Sequence, residues 1–201
     1  MIRPLYFHNP NQEGFEAIIK HLHSKNYKFI SIEELYSRLE KNDTKGKLAY
    51  ISFDDGWQGN LKLIPIIEKY NVHITIFIAV NPIMSGNFWW EFVAKKVGYT
   101  QMQNFKNLPH DEFESQLKKI KTEVADLQRS AMTIDELETI TKHPLISIQS
   151  HTINHPILTK LPDDLLDFEL SESQKQLEKI TGKSIFAFSY PNGSISHREI
   201  N

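Results

Sequence analysis

The feature that most constrains this chain is a pattern it uses repeatedly: an apolar, strand-forming run that ends in a short polar loop. Leu48-Ala49-Tyr50-Ile51-Ser52-Phe53 runs into Asp54-Asp55-Gly56. Leu145-Ile146-Ser147-Ile148-Gln149 leads to His151-Thr152-Ile153-Asn154-His155-Pro156, and Ile185-Phe186-Ala187-Phe188-Ser189 leads to Tyr190-Pro191-Asn192-Gly193. Two carboxylates, two imidazoles and a rigid turn are thereby offered at the C-terminal ends of strands. In a parallel α/β fold those ends share one face, and that face carries the chemistry. Two His and one Asp suit a catalytic divalent metal, with the second Asp left as a base.

Helical patterns separate the runs. Phe15, Ile18, Ile19 and Leu22 recur at helical spacing over residues 13–25. Ser31 with Glu34, and Thr133 with Glu136, are capping-box pairs that open further helices. Residues 61–70 read as helical if Pro65 sits in the first turn. Residues 87–97 and 111–127 read as helices, and Leu166, Leu170, Leu177 and Ile180 mark a long helix ended by Gly182. Residues 2–7 predict a first strand, 29–30 a short one, 72–80 a β-branched strand closed by Asn81-Pro82, and 184–190 a last strand. This alternation predicts an α/β fold with a parallel sheet or a (β/α) barrel. A full eight-unit barrel usually takes about 250 residues. The 201 residues here read as one domain whose barrel is incomplete at the C-terminus.

Composition narrows the function classes. With no Cys, thiolate catalysis, cysteine zinc sites and disulfides are excluded. A formal net charge of −2 gives no reason to expect a nucleic-acid partner. The longest apolar run, residues 74–80, is far too short to span a bilayer. The N-terminus has no long apolar segment of the secretory type, so a cytoplasmic location is expected if that terminus is native.

Each motif alone is ambiguous. His151 and His155 have the spacing of a helical zinc-peptidase pair, but Thr152 stands where that motif carries its Glu, and Pro156 disfavours helix at His155. A loop after a strand is the better reading. Loop histidines bonded to backbone or water would look the same. Asp-Gly after a strand is ordinary turn chemistry. The two Asp side chains nevertheless point in different directions, so one can bind a cation while the other faces a water. Tyr190-Pro191-Asn192-Gly193 reads as a turn whose backbone N–H groups suit an oxyanion.

Together the three segments resemble the polysaccharide deacetylases, also called the NodB-homology or carbohydrate esterase family 4 enzymes. The (T/S)FDDG motif appears as Ser52-Phe53-Asp54-Asp55-Gly56, and H(S/T)xxH as His151-Thr152-Ile153-Asn154-His155 with Pro156 and Leu158 following. Glu169, Leu170 and residues 186–193 also look like the family. The resemblance implies a distorted seven-stranded (β/α) barrel. It implies that Asp54 is the catalytic base, that Asp55, His151 and His155 hold a divalent metal, usually zinc, and that Tyr190, Pro191 and Asn192 line the substrate groove and help hold the oxyanion. The implied reaction is hydrolysis of an acetyl group from an N-acetylated polysaccharide.

The chain departs from the family pattern in places. Ser189 lies near the place of an Arg that orients the base, and Asn192 replaces an aromatic after the Pro. Nothing after Gly193 matches the Leu-x-His motif that supplies the general acid. His8, after the first strand, is the candidate accessory acid, with a loop hydrogen bond as its plainer reading. Trp89 and Trp90 invite a sugar-stacking reading, but adjacent helical residues diverge by about a hundred degrees, so one in the core and one partly buried is expected. An O-acetyl esterase and a non-catalytic metal- or glycan-binding relative remain open at this point, as does self-association through an open sheet edge.

Overall fold

The computed structural model describes residues 1–200. Its strands are β1 (Ile2–Phe7), β2 (Lys28–Ile30), β3 (Leu48–Phe53), β4 (Ile74–Ile78) and β5 (Ile146–Ser150), and all the pairings between them are parallel. The sheet order is β1-β3-β4-β5, with β2 also paired to β3. β1 runs along one edge of β3 through its whole length, so β2 and β4 share the other edge, β2 against residues 48–50 and β4 against residues 51–53.

Every residue of β3 and β4 is buried, as expected for central parallel strands covered on both faces. Alternation splits their side chains. Ala49, Ile51, Phe53, Ile74, Ile76 and Ile78 join the main core with Phe15 and Ile19 of α1 (Gln12–Ser24). Tyr50 and Phe77 point to the opposite face and pack with Ile32 of α2 (Ile32–Glu40). Fully burying one such Ile or Phe contributes roughly 1.5–3 kcal/mol. This core holds the strand ends still beneath the loops that follow them.

The predicted capping box forms in full at Thr133, whereas at Ser31 only the Ser side chain caps and the Glu34 carboxylate accepts from Lys28 and Arg38 instead. Ser31 Oγ accepts from Glu34 N at 3.3 Å. Thr133 and Glu136 bond reciprocally, at 3.1 and 2.8 Å, at the start of α8 (Ile134–Thr141). Between β3 and α8 lie α3 (Ile64–Lys69), α4 (Val80–Ser85), α5 (Trp89–Val97), α6 (Tyr99–Phe105) and α7 (His110–Glu123); α9 (Asp163–Thr181) follows β5 and ends at Gly182, whose φ is +66°. Pro65 lies in the first turn of α3, after a 3-10 turn over Gln58–Leu63.

Two expectations are corrected. The strand predicted over residues 72–80 ends at Ile78, and Asn81-Pro82 opens α4 instead of closing the strand. A Pro in the first helical turn gives up no hydrogen bond, so it starts a helix as readily as it ends a strand. Residues 184–190 are not a strand: they touch β5 through one isolated Ser150–Phe188 bridge. The Phe186 and Ala187 amides donate to the Gln149 side chain at 2.9 and 2.8 Å, and a side-chain acceptor stops the ladder from propagating. Of the seven strands that the resemblance implies, the sheet has five among the described residues, and it is open with β1 and β5 at its ends, in keeping with the incomplete barrel expected. Phe7 O bonds toward β3 through Asp54 N, so alternation turns Pro4 and Tyr6 toward the free edge. Pro4 has no N–H to offer there, which blunts the edge as a template for pairing.

Candidate metal centre

The site is built where β3 and β5 end. Asp54 N donates to Phe7 O at 2.9 Å, which ties the end of β3 to that of β1. The chain then turns sharply. Asp55 has φ +75° and Gly56 φ +91°. A Cβ at Gly56 would lie 2.8 Å from Ile78 Cδ1, so this turn requires Gly on both counts. The turn buries the Asp55 side chain, whose Oδ2 accepts from Trp57 Nε1 at 2.8 Å.

The loop after β5 is not helical, as Pro156 predicts. Thr152 and His155 both have positive φ, at 71° and 56°. Such conformations cost about 1–3 kcal/mol each unless the surroundings impose them. Here they do. His151 N donates to Ile78 O, and Val80 N and Asn81 N donate to Thr152 O and Ile153 O. The Glu169 carboxylate, on α9, accepts from Ile153 N, Asn154 N and Asn154 Nδ2 at 2.9, 2.9 and 2.5 Å. Thr152 Oγ1 accepts from His155 N, and His155 O accepts from Trp89 Nε1.

The outcome is a convergence of three side chains. His151 Nε2 and His155 Nε2 lie 3.4 and 3.3 Å from Asp55 Oδ1. The ligand-type atoms of all three residues lie within 4.8 Å of one another, and all three residues are buried. His151 Nδ1 lies 2.8 Å from Ser189 O. A carbonyl only accepts, so Nδ1 carries the proton, and in the neutral ring Nε2 presents a lone pair. Asp55 Oδ1 is buried with no hydrogen-bond donor. A carboxylate oxygen and two ring nitrogens facing one another at a buried site suit a cation. A tetrahedral ion with ligands at about 2.0–2.2 Å would separate pairs of ligand atoms by roughly 3.3–3.6 Å, which both Asp55–His separations match, so these residues could hold a metal such as zinc.

The charges are arranged unevenly. Burial alone would raise Asp55, but the two imidazoles hold it well below the usual carboxylate range. Burial acts to lower His151, yet the Asp55 and Asp54 carboxylates raise it, whereas burial wins at His155 and lowers it. Asp54, half-buried beside them, is raised by burial, with the Asp55 charge adding to the effect and His151 opposing it.

A cavity of about 1130 Å³ opens over this cluster. Asp54, Asp55, His151, His155, His8, Tyr190 and Asn192 line it, so nearly all the sequence-predicted site residues share one space; Pro191 is buried behind the turn. Trp90 lines the cavity with its ring 4.7 Å from that of His155, while Trp89 is core, as the helical spacing predicted. Trp57 and Lys106, which also line the cavity, escaped the sequence reading.

The family model for polysaccharide deacetylases matches residues 41–201. The chain belongs to the polysaccharide deacetylase family. The matched residues carry the Asp54-Asp55 pair, the 151–155 loop and the 190–193 turn; β1 and His8 precede them. This family member is 24% identical over 186 residues to YxkH of Bacillus subtilis (strain 168), a protein named provisionally as a polysaccharide deacetylase. The match covers 92% of this chain, which spans about half the length of that relative. Among solved structures, the Streptococcus pyogenes deacetylase PplD, in complex with acetate, aligns with 99% of this chain and 77% of its own at a TM-score of 0.72 and 20% identity. IcaB from Ammonifex degensii gives the same coverages at a TM-score of 0.71 and 16% identity. At these identities the structural likeness establishes the deacetylase fold.

Proposed function

We propose that this chain is a metal-dependent hydrolase that removes acetyl groups from an N-acetylated polysaccharide. The observation that carries the reading is Asp55 Oδ1 facing two imidazole nitrogens at 3.3–3.4 Å, with Asp54 alongside at the cavity wall. Asp55, His151 and His155 would hold the ion. When bound, a divalent metal supplies Lewis-acid polarisation of the acetyl carbonyl and makes water a stronger acid. Asp54 is the base. Its Oδ1 is buried without a hydrogen-bond partner among the described residues, and its raised pKa gives it the proton affinity a general base needs. The Trp57 bond keeps the second Asp55 oxygen engaged, so the two carboxylates do different work.

The 190–193 turn supplies the oxyanion donor. Pro191 has no N–H, Gly193 N donates to Tyr190 O and Ser194 N to Pro191 O, which leaves the Tyr190 and Asn192 amides as the donors of this turn. His8, exposed on the cavity wall, is the accessory group closest in kind to an acid for the leaving amine.

The experiment is acetate release by the zinc-loaded chain, from N-acetylated hexosamine oligomers and, in parallel, from O-acetylated xylan. Release from the first that Asp54→Asn abolishes supports the reading. Release from the second alone assigns O-deacetylation. Stoichiometric metal without turnover on either marks a binding relative.

A further inference from the structure

Asn192 stands where the family pattern carries an aromatic residue, and the structure gives that departure a partner. Lys106, just beyond the end of α6, donates from its Nζ to Asn192 Oδ1 at 2.7 Å. The residues are 86 apart in sequence and both line the cavity. The backbone that carries Lys106 is itself fixed. Lys160, in the 3-10 turn that follows the 151–155 loop, donates to Lys106 O at 2.7 Å and to Leu108 O at 3.0 Å. Asn192 in turn sits at φ +59°, in the middle of a turn whose backbone bonds, Gly193 to Tyr190 and Ser194 to Pro191, are local. A path of bonds therefore runs from the loop that carries both histidines, through Lys160 and Lys106, to the turn that carries the candidate oxyanion donors.

We propose that Lys106 is a positioning residue: through Asn192 it fixes the 190–193 turn against the helical wall, so that the turn's amides keep their aim at the reacting carbonyl. This rests on the deacetylase reading above for its consequence in catalysis, and on geometry alone for the strap itself. An aromatic at position 192 would hold such a turn by packing. Here a hydrogen bond from a partly desolvated ammonium replaces it, and bonds from charged donors are the stronger kind. Burial lowers Lys106, with the Asp55 charge opposing, in keeping with an ammonium drawn partly out of water.

The test compares the zinc-loaded wild type with Lys106→Met, Lys106→Arg, Asn192→Ala and the Lys106→Met/Asn192→Ala double variant. Lys106→Met and Asn192→Ala are each expected to lose about tenfold in kcat, with KM within about twofold, because donor aim counts in the transition state. The double variant should be no slower than either single one, the signature of a shared interaction. Lys106→Arg should restore most of kcat. Amide exchange on the metal-free proteins reads the strap directly: Lys106→Met should speed exchange at Gly193 and Ser194 and leave Ile153 and Asn154 protected. A rise in KM with unchanged kcat overturns the inference in favour of direct substrate binding by Lys106. Additive losses, or exchange unchanged at Gly193 and Ser194, overturn it too. Faster exchange in a protein whose wild type releases no acetate leaves the strap standing and removes the deacetylase reading instead.

Discussion

The 151–155 loop and the 190–193 turn face the same cavity but are held in different ways. Loop backbone groups are gripped from several directions, by Ile78, Val80, Asn81, Glu169 and Trp89, and His151 and His155 are 2% and 5% exposed. The turn is held by two local backbone bonds, by the Tyr190 hydroxyl donating to Glu199 O, by the Tyr190 ring against Phe188 and by the Lys106 side chain, and Asn192 is exposed. Under the proposed function the loop's two imidazoles must converge on a point before an ion arrives, and strain at Thr152 and His155 is tolerated because the surroundings over-determine it. An oxyanion donor meets a substrate that comes and goes. Stability should therefore depend on the loop, and turnover on both.

The largest effect that could break this contrast is at Glu169. Glu169→Ala leaves the buried Ile153 amide, the partly buried Asn154 amide and the Asn154 side chain without their acceptor and should cost about 3 kcal/mol in urea unfolding, together with weaker zinc binding. Glu169→Gln keeps an acceptor oxygen and should recover most of the stability. If Glu169→Ala is as stable as wild type, the loop is not gripped as described. Next comes Trp57→Phe, which removes the donor to Asp55 Oδ2 while keeping an aromatic ring; zinc affinity should fall about 10–100-fold with the melting temperature little changed.

On the turn side, Asn192→Ala should change stability by no more than about 0.5 kcal/mol while lowering kcat, in contrast to the large stability loss of Glu169→Ala. A larger stability loss would show the turn to be as structural as the loop. The smallest effect lies far from both. Lys69 and Tyr70 hydrogen bonds lower Glu16 from 4.5 to about 2. A depressed carboxylate stabilises the fold above its ordinary pKa, and that contribution is lost as pH falls from about 4.5 towards 2. Glu16→Gln should therefore lower the urea midpoint slightly at pH 7, less so in high salt, and leave it unchanged near pH 2.

The sequence was legible where one residue carries its own physical signature. The Asp54-Asp55-Gly56 turn, the non-helical 151–155 loop forced by Pro156, the Thr133–Glu136 cap and the helix stop at Gly182 all follow from local stereochemistry. It was opaque where a partner is distant. Gln149 captures the amides of residues 186 and 187, so a run with strand composition never joins the ladder. Trp57 and Lys106 matter through single bonds to Asp55 and Asn192, and an isolated Trp or Lys has no period or spacing that would announce such a bond. Trp57 follows Asp55 by two residues just past the Gly56 turn, the one signal that could have marked it.

The central claim is that Asp55, His151 and His155 hold one divalent ion while Asp54 stays free to act as base. Zinc titration of the metal-free chain by calorimetry tests it most directly, with Asp54→Asn, Asp55→Ala, His151→Ala and His155→Ala measured alongside. One ion per chain is predicted for wild type and for Asp54→Asn at similar affinity, with binding weakened at least about tenfold in each of the other three. Equal loss of zinc in Asp54→Asn and Asp55→Ala, or wild-type binding after either His is removed, would contradict the account.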